Sequence, residues 1–457
     1  MSRIAIVGGG ITGLSAAWTL QQQHIPYVVI ESSAQLGGKI QTEVIPHTDG
    51  TAFIIDGGPE SFVTRKPEVW ELAHALGIGD QLVAPGSETA GIYILYAGSL
   101  YPVPLSLGAF ITSHLLSPLG KLRLLAEPFI TPRRDTADET LAQFAQRRLG
   151  REVMERMVGP ILGGIYNADP YQQSVLVSAP QMRNLERDYG GLVRGQIGVM
   201  WRQHKIQAEK RPRFVTFRDG AAVLVAALQQ RLTGDVYLNT RIQSIQRAGA
   251  GYTLHTADGT ALSATGVILA TPANVAAKLV EPLAPPAAAL LAAIPHVPIG
   301  TVTLVFKTTD LPPNQNISSL MIPRREQRAI DAVVWTSQRM TWRVPAGYAL
   351  LKVFIGGARP DMVAWEDAPL LKLVLAELNT FFGINAQPVL YRIFRWHDSY
   401  PQAPVGHLER VAHIEQALPP GIFVTGSSYA GVGVPDCIRQ GQHTATLAAA
   451  LGQSTTL

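Results

Sequence analysis

The sequence predicts a discontinuous fold of mixed α/β and α+β class: a Rossmann-like domain assembled from separated pieces, an antiparallel-sheet domain and a helical subdomain. Three observations predict it. The chain opens with a strand, a glycine-rich turn, a helix and a second strand within about 30 residues, the βαβ pattern of a doubly wound sheet. The stretch 87–201 then reads as mostly helical with no alternating strands, and an apolar strand followed by a long helix returns near the C-terminus.

The elements follow in order. Residues 3–7 (RIAIV) are a short β-branched run, residues 14–23 a helix with Leu14 and Trp18 on one face, and residues 27–31 (YVVIE) a second strand. Residues 138–149 read as a capped amphipathic helix ending at Gly150. Strands are expected near 213–217, 236–246 and 252–256, with Asp258-Gly259 as a turn, and a buried strand at 266–270 (GVILA). A Pro/Ala-rich connector spans 282–298. Strands near 301–306, 332–336 and 349–355, a helix at 367–382 and a strand at 389–396 make the second domain. Residues 422–425 (IFVT) and the helix 436–451 return to the first. The expected division is 1–86, 213–280 and 396–457 for the cofactor domain, 87–212 for the helical subdomain at the substrate entrance, and 281–395 for the substrate-binding sheet domain.

A chain of 457 residues is long enough for a sizeable core, which excludes a peptide hormone, a zinc finger or a disulfide mini-protein. Charged residues are 16% of the chain, against about 25% in an average soluble protein. Hydrophobic residues reach 47%, and that surface must be buried. The 38 basic residues barely exceed the 34 acidic ones, so no basic arm for nucleic acid is expected. The single Cys437 leaves no cluster for a disulfide, zinc or iron–sulfur site and suits a reducing compartment. With the first strand beginning at Arg3 no leader is expected, and no run of 18 apolar residues occurs, so a cytoplasmic location is expected.

The chemistry starts at Gly8, Gly9, Gly10, Ile11, Thr12 and Gly13. In GxGxxG the first glycine permits a tight turn, the second lets backbone approach a diphosphate, and the third lets helix and strand pack closely. The diphosphate then sits on a helix N-terminus. Glu31, 18 residues after Gly13, is placed for a ribose hydroxyl. Leu36-Gly37-Gly38-Lys39 and Asp56-Gly57-Gly58-Pro59 add two more glycine pairs where an NAD fold would continue its βαβ alternation. Backbone at such pairs can pack under a larger cofactor, which favours FAD.

The segments GGGITGL, ES…LGGKIQT, DGGPESF, VILATP and GSSYAGVGVPDCI resemble the FAD-dependent protoporphyrinogen and coproporphyrinogen oxidases of the flavin amine oxidase superfamily. PILGGIYNADPYQQS (160–174), RWHDSYPQAPVGH (395–407) and GVGVPDCI (431–438) carry the more specific likeness to the porphyrinogen branch. The resemblance covers essentially the whole chain and implies non-covalent FAD and no metal. It implies that Gly8 to Gly13 hold the diphosphate, with Glu31 and Ser32 at the adenosine ribose and Ile242 offering backbone to the adenine. Lys39, Gly58, Pro59, Glu60 and Ser61 would follow the ribityl chain and flavin, with Trp396 beside the ring and Val432, Gly433 and Val434 at its pyrimidine end. A Gly-rich turn opening a helix near Asp436 would aim N–H groups at the flavin, where negative charge develops on reduction. Asp436 reads equally as a simple N-cap.

The resemblance further implies that Lys66, Ile165 and Phe354 line the substrate pocket. Lys66 would pair with a propionate, and Ile165 and Phe354 would sandwich a macrocycle. Their plainer readings are a surface lysine and ordinary core residues. The expected reaction is oxidation of coproporphyrinogen III to coproporphyrin III in haem biosynthesis, three two-electron steps with oxygen as reoxidant and hydrogen peroxide as product. A dry site holding a flat substrate against the flavin suffices, and no side chain is assigned as catalytic base. No GxSxG, HExxH, P-loop or CxxC occurs. His397 and His407 read as structural histidines and Cys437 as a small buried side chain.

Plant and animal protoporphyrinogen oxidases carry an arginine before the strand leading to their PVP-like motif. Ile92 stands at the matching place here, which with Lys66 favours the tetracarboxylate coproporphyrinogen III. The basic stretch 202–218 reads first as a solvated loop and second as extra cationic anchoring. Protoporphyrinogen IX is the alternative substrate, and another amine oxidase or desaturase activity a more distant one. The uncharged stretch 105–119 suggests peripheral contact with the cytoplasmic membrane beside plain core packing. The next haem-pathway enzyme is an expected transient partner.

Overall fold

Strands Ile4–Val7 and Tyr27–Ile30 are buried along their whole length, as befits strands covered on both faces. A computed structural model describes residues 3–86, 91–104, 106–205, 211–313 and 316–454. Among these, five strands form a parallel sheet in the order Asp235–Tyr237, Tyr27–Ile30, Ile4–Val7, Gly266–Leu269 and Ile422–Val424. Alternation sorts its side chains. Ile4 and Ile6 face helices Ile11–Gln22, Ala222–Arg231 and Val434–Ser454, while Ala5 and Val7 face the opposite core. That second face is covered by an antiparallel three-stranded sheet, Ile242–Ala248, Gly251–Thr256 and Ala261–Ala264, and by helices Ala273–Val280 and Pro285–Ala292.

Helix Pro285–Ala292 corrects the connector expected at 282–298. Its prolines stand in the first turn, where the missing N–H costs nothing, and the alanines behind them favour helix. Leu291 and Ile294 belong to the core of the parallel sheet, so the first domain continues past residue 280. The expected strand at 236–246 likewise divides between two sheets, as Asp235–Tyr237 and Ile242–Ala248.

A seven-stranded sheet runs in the order Leu390–Pro401, His296–Lys307, Tyr348–Ile355, Ala332–Val334, Ile317–Met321, Gly91–Tyr96 and Ser99–Pro102. Its pairs are antiparallel except Ile317–Met321 with Gly91–Tyr96. The hairpin Gly91–Pro102 therefore belongs to this sheet and not to the helical block in which the sequence reading put it. One face, with Val302, Leu304, Leu351 and Val353, packs on helix Asp367–Phe382. The other, with Val305 and Leu350, packs on Phe53 and Ile55 of the hairpin Thr42–Asp56.

Helix Leu141–Leu149 opens on a reciprocal cap between Thr140 and Gln143 and stops at Gly150. The cap is Thr140, while Asp138 accepts a hydrogen bond from Ser174 at 2.9 Å. Charges join this block together. Arg148 and Glu127 pair with neither side chain exposed to solvent, and Glu186 takes Arg147 at 2.5 Å and Arg183 at 2.7 Å.

Candidate active site

The three glycines of the fingerprint meet three different surroundings. Gly8 has φ +111°, and a Cβ there would stand 2.6 Å from the Ala270 carbonyl oxygen. A Cβ on Gly13 would stand 2.0 Å from the Gly8 oxygen, so nothing larger lets the helix meet the strand. Gly10 caps Ile11–Gln22 in an extended conformation, and no atom lies within 4 Å of where its Cβ would be. Open space thus lies in front of the unpaired N–H groups of a helix, which is where an anionic diphosphate fits. Ile11 and Thr12 are buried in the first turn behind it.

Glu31 follows the second strand and fastens the loop. One carboxylate oxygen accepts the Gly9 N–H at 2.7 Å, and the other accepts from the Ser33 N–H and hydroxyl at 2.8 Å and the Ser32 hydroxyl at 3.3 Å. The serine hydroxyls are exposed, so a ribose hydroxyl can take their place. Alongside runs the segment leading to Ile242: the Glu31 N–H donates to the Tyr237 carbonyl at 2.8 Å and the Thr240 N–H to the Glu31 carbonyl at 2.9 Å. Ile242 follows two residues after Thr240, which is bonded to Glu31, with the register shifting between Ile242 and Ser244.

The two further glycine pairs pack backbone on backbone, since a Cβ on Gly58 would stand 2.1 Å from the Lys39 carbonyl oxygen. The Lys39 ammonium has no hydrogen bond or ion pair among the described residues. Burial pushes its pKa below the ordinary lysine range. A cation in a cleft, half-covered and unpaired, next to an open helix N-terminus is the complement of a bound phosphate or flavin. These residues therefore fit FAD on their own geometry.

Helix Val434–Ser454 lies so close to Ile11–Gln22 that a Cβ on Gly441 would stand 2.2 Å from the Thr12 oxygen. Val432, Gly433 and Val434 open it beside Lys39. Asp436 lies inside its first turn, not at the N-cap. Its carboxylate pairs with Lys66 at 2.5 Å and with Arg439 at 2.7 Å. Lys66 is therefore already paired, and any anionic ligand would have to displace the Asp436 carboxylate from it. Burial pushes the Cys437 thiol up to about 11, which keeps it neutral.

Across the cleft lies one face of the seven-stranded sheet. Thr301 donates to the Gly57 carbonyl at 2.9 Å, and Phe354 and Phe394 both sit opposite Thr301 in register. Trp396 is parallel to Phe394, with ring centres 6.2 Å apart. Phe354 and Trp396 are half-buried, which gives the cleft an aromatic floor. Helix Gly159–Tyr166 approaches this floor at Gly164, whose Cβ would stand 3.6 Å from the Met321 sulfur. Ile165 follows in its last turn, but its side chain lies outside the described residues. His397 is exposed, and His407 is buried with Nε2 2.9 Å from the Tyr429 carbonyl oxygen. Burial pushes the His407 pKa below the ordinary value, so it stays neutral.

Sequence reasoning missed Lys352, which crosses from the sheet to the Gly58–Glu60 turn, and Arg343, which pairs with Asp56 at the base of that turn. The available signal was a lysine inside the apolar run YALLKVFI.

Residues 11–449 match the model of the flavin containing amine oxidoreductases. The coproporphyrinogen III oxidase of Bacillus subtilis strain 168 is 32% identical over 461 residues, covering 96% of each chain. That of Staphylococcus aureus is 31% identical over 96% of this chain and 97% of its own. The crystal structure of a provisionally assigned protoporphyrinogen oxidase from Exiguobacterium sp. 255-15 superposes with a TM-score of 0.84 at 28% identity, over 98% of both chains. The matched span runs from the fingerprint helix to the last helix and takes in both walls of the cleft: this chain belongs to the flavin containing amine oxidoreductase family.

Proposed function

We propose that the chain oxidises coproporphyrinogen III to coproporphyrin III in haem biosynthesis, with FAD as cofactor and oxygen as final acceptor. The observation that carries this reading is the nearly full-length similarity, at 30–32% identity, to three bacterial coproporphyrinogen III oxidases. FAD supplies a two-electron acceptor that oxygen can reset, releasing hydrogen peroxide.

The chain's own residues bind, orient and exclude water. Gly8, Gly9, Gly10, Ile11, Thr12 and Gly13 hold the diphosphate, Glu31 and Ser32 the ribose, and Ile242 the adenine. Lys39, the turn Gly58, Pro59, Glu60 and Ser61, Trp396, and Val432, Gly433 and Val434 hold the rest. Phe354 and Ile165 flank the macrocycle, and Lys66 exchanges Asp436 for a propionate. Four propionates call for more cations, and Arg211, Arg213 and Arg218 stand exposed at the end of the basic stretch. Buried neutral His407 and Cys437 provide no general base, in keeping with a reaction driven by aromatisation.

Protoporphyrinogen IX is the second reading, favoured by plant relatives such as the chloroplastic protoporphyrinogen oxidase of Nicotiana tabacum, 27% identical over 95% of this chain and 83% of its own. Purified protein should be yellow, with a flavin band at about 450 nm, and should form fluorescent porphyrin faster from the tetracarboxylate than from the dicarboxylate. The reverse preference selects the second reading, and a colourless protein overturns both.

The location proposed is the cytoplasm, with peripheral contact on the membrane. Among the described residues no helix is long and apolar enough to cross a membrane. In the stretch 105–119, Leu105 lies outside the described residues, Leu115 and Leu116 are buried, and Ile111 and Leu119 are exposed. The apolar surface continues through Leu122 and Leu125 to Phe129, which is 82% exposed. Such a patch suits the headgroup boundary of a bilayer. The protein should co-sediment with anionic vesicles, and Leu119→Asp with Phe129→Asp should release it at least tenfold. Wild-type protein that stays in the supernatant refutes the contact.

A further inference from the structure

Lys352 lies mid-strand in Tyr348–Ile355 between Leu351 and Val353, and its side chain is 1% exposed. Its ammonium leaves the sheet and ends on the turn of the other domain, 3.0 Å from the Gly58 carbonyl oxygen and 3.0 Å from a Glu60 carboxylate oxygen. Glu60 also accepts from the Thr336 hydroxyl at 3.3 Å, and the Thr216 hydroxyl donates to its carbonyl at 2.5 Å. Burial alone would keep Glu60 protonated, yet the charges of Lys352, Arg343 and Arg339 hold its pKa below the ordinary range. A buried ion pair is a weak source of stability compared with apolar packing. An apolar residue at 352 would match its neighbours, so the pair calls for another reason.

We infer that Lys352 and Glu60 are positioning residues, a clamp that fixes the turn Gly57–Glu60 against the aromatic floor and in which each cancels the other's charge within this wall of the cofactor cleft. The inference rests on the reading that Gly58 to Ser61 line FAD. Thr301 on Gly57 and Lys352 on Gly58 attach consecutive carbonyls of the turn to adjacent strands of one sheet. The turn therefore cannot move without Phe354, whose ring centre is 6.0 Å from the Lys352 nitrogen. Removing either charge alone leaves the other uncompensated in a dry wall beside a cofactor that gains negative charge on reduction.

The experiment uses FAD-loaded full-length protein and reads the flavin midpoint potential, the melting temperature and steady-state kinetics for Lys352→Met, Glu60→Gln and the double variant. Lys352→Met should move the potential down, Glu60→Gln should move it up, and the double variant should return close to wild type. In Lys352→Met, kcat should fall at least tenfold with KM within twofold. A purely structural pair would lower all three melting temperatures and leave the potentials unmoved or shifted the same way, which overturns the clamp. Should Lys352→Met fail to fold, Glu60→Gln decides alone, because its side chain keeps the shape of Glu and its potential must rise. Wild-type protein that binds no flavin overturns the reading of the site and the clamp with it, whereas flavin-loaded wild type with an unmoved Glu60→Gln overturns the clamp only.

Discussion

Gly13→Val is expected to yield protein with less than a hundredth of the wild-type flavin content and activity. The β-carbon alone would overlap the Gly8 carbonyl oxygen at 2.0 Å, so helix Ile11–Gln22 must back away from strand Ile4–Val7. Overpacking of this kind costs about 1–3 kcal/mol, and the displaced N–H groups no longer converge on the diphosphate. Gly10→Ala is the informative companion, because its β-carbon meets no protein atom within 4 Å. It should fold with an unchanged apo-protein melting temperature and still lose flavin affinity, since the space it fills is where the cofactor backbone approaches. The ratio of flavin to protein absorbance after gel filtration, with calorimetry of the apo forms, separates the two. Equal flavin content in Gly13→Val and wild type would show that the diphosphate lies elsewhere.

Glu127→Ala should cost about 3–5 kcal/mol, the range for leaving one partner of a buried ion pair alone. Glu127 serves three groups at once: the fully enclosed Arg148 guanidinium, the Leu192 N–H at 2.8 Å and the Val193 N–H at 3.1 Å. Its loss leaves the buried Arg148 with only the more distant Glu186 carboxylate at 3.6 Å and uncaps helix Leu192–Lys205 together. Urea unfolding should shift to lower concentration, and limited proteolysis should cut within the helical block first. Replacing both partners with apolar residues, Glu127→Leu with Arg148→Met, should recover much of the loss, since removing a whole buried pair is often neutral. A single variant within about 1 kcal/mol of wild type would show that Arg148 finds other acceptors, and its bond to the Ile130 carbonyl at 2.9 Å names the first of them.

What was legible in the sequence is what short segments decide for themselves. The fingerprint was readable because Gly13 answers a steric demand made by Gly8 a few residues away and Gly8 takes a positive φ in its own turn, although the carbonyl Gly8 abuts is that of distant Ala270, and Glu31 follows at a spacing set by one helix and one strand. Helix Leu141–Leu149 announced its end with Gly150 and its start to within three residues. Long-range pairing was invisible. The hairpin Gly91–Pro102 joins a sheet whose neighbouring strand begins at Ile317, and nothing local marks that partner. Lys352 went unremarked because its acceptors, Gly58 and Glu60, are nearly 300 residues away. Asp436 read as an N-cap because the helix start was misplaced by two residues, and the pairing with Lys66 that replaces the cap spans 370 residues of sequence. Helix Pro285–Ala292 was legible in principle, since proline in the first turn starts helices as readily as it marks connectors.

The parallel sheet also sets a timetable. Its first two strands leave the ribosome well before the edge strand Ile422–Val424 and the helix Val434–Ser454 that covers Ile11–Gln22. At roughly 5–20 residues per second, the wait is on the order of tens of seconds. Through that interval helix Ile11–Gln22 covers part of one face of Ile4–Val7 and Tyr27–Ile30, while the rest of both apolar faces waits for partners distant in sequence. Nascent chains are therefore most exposed to chaperones and aggregation in this N-terminal unit.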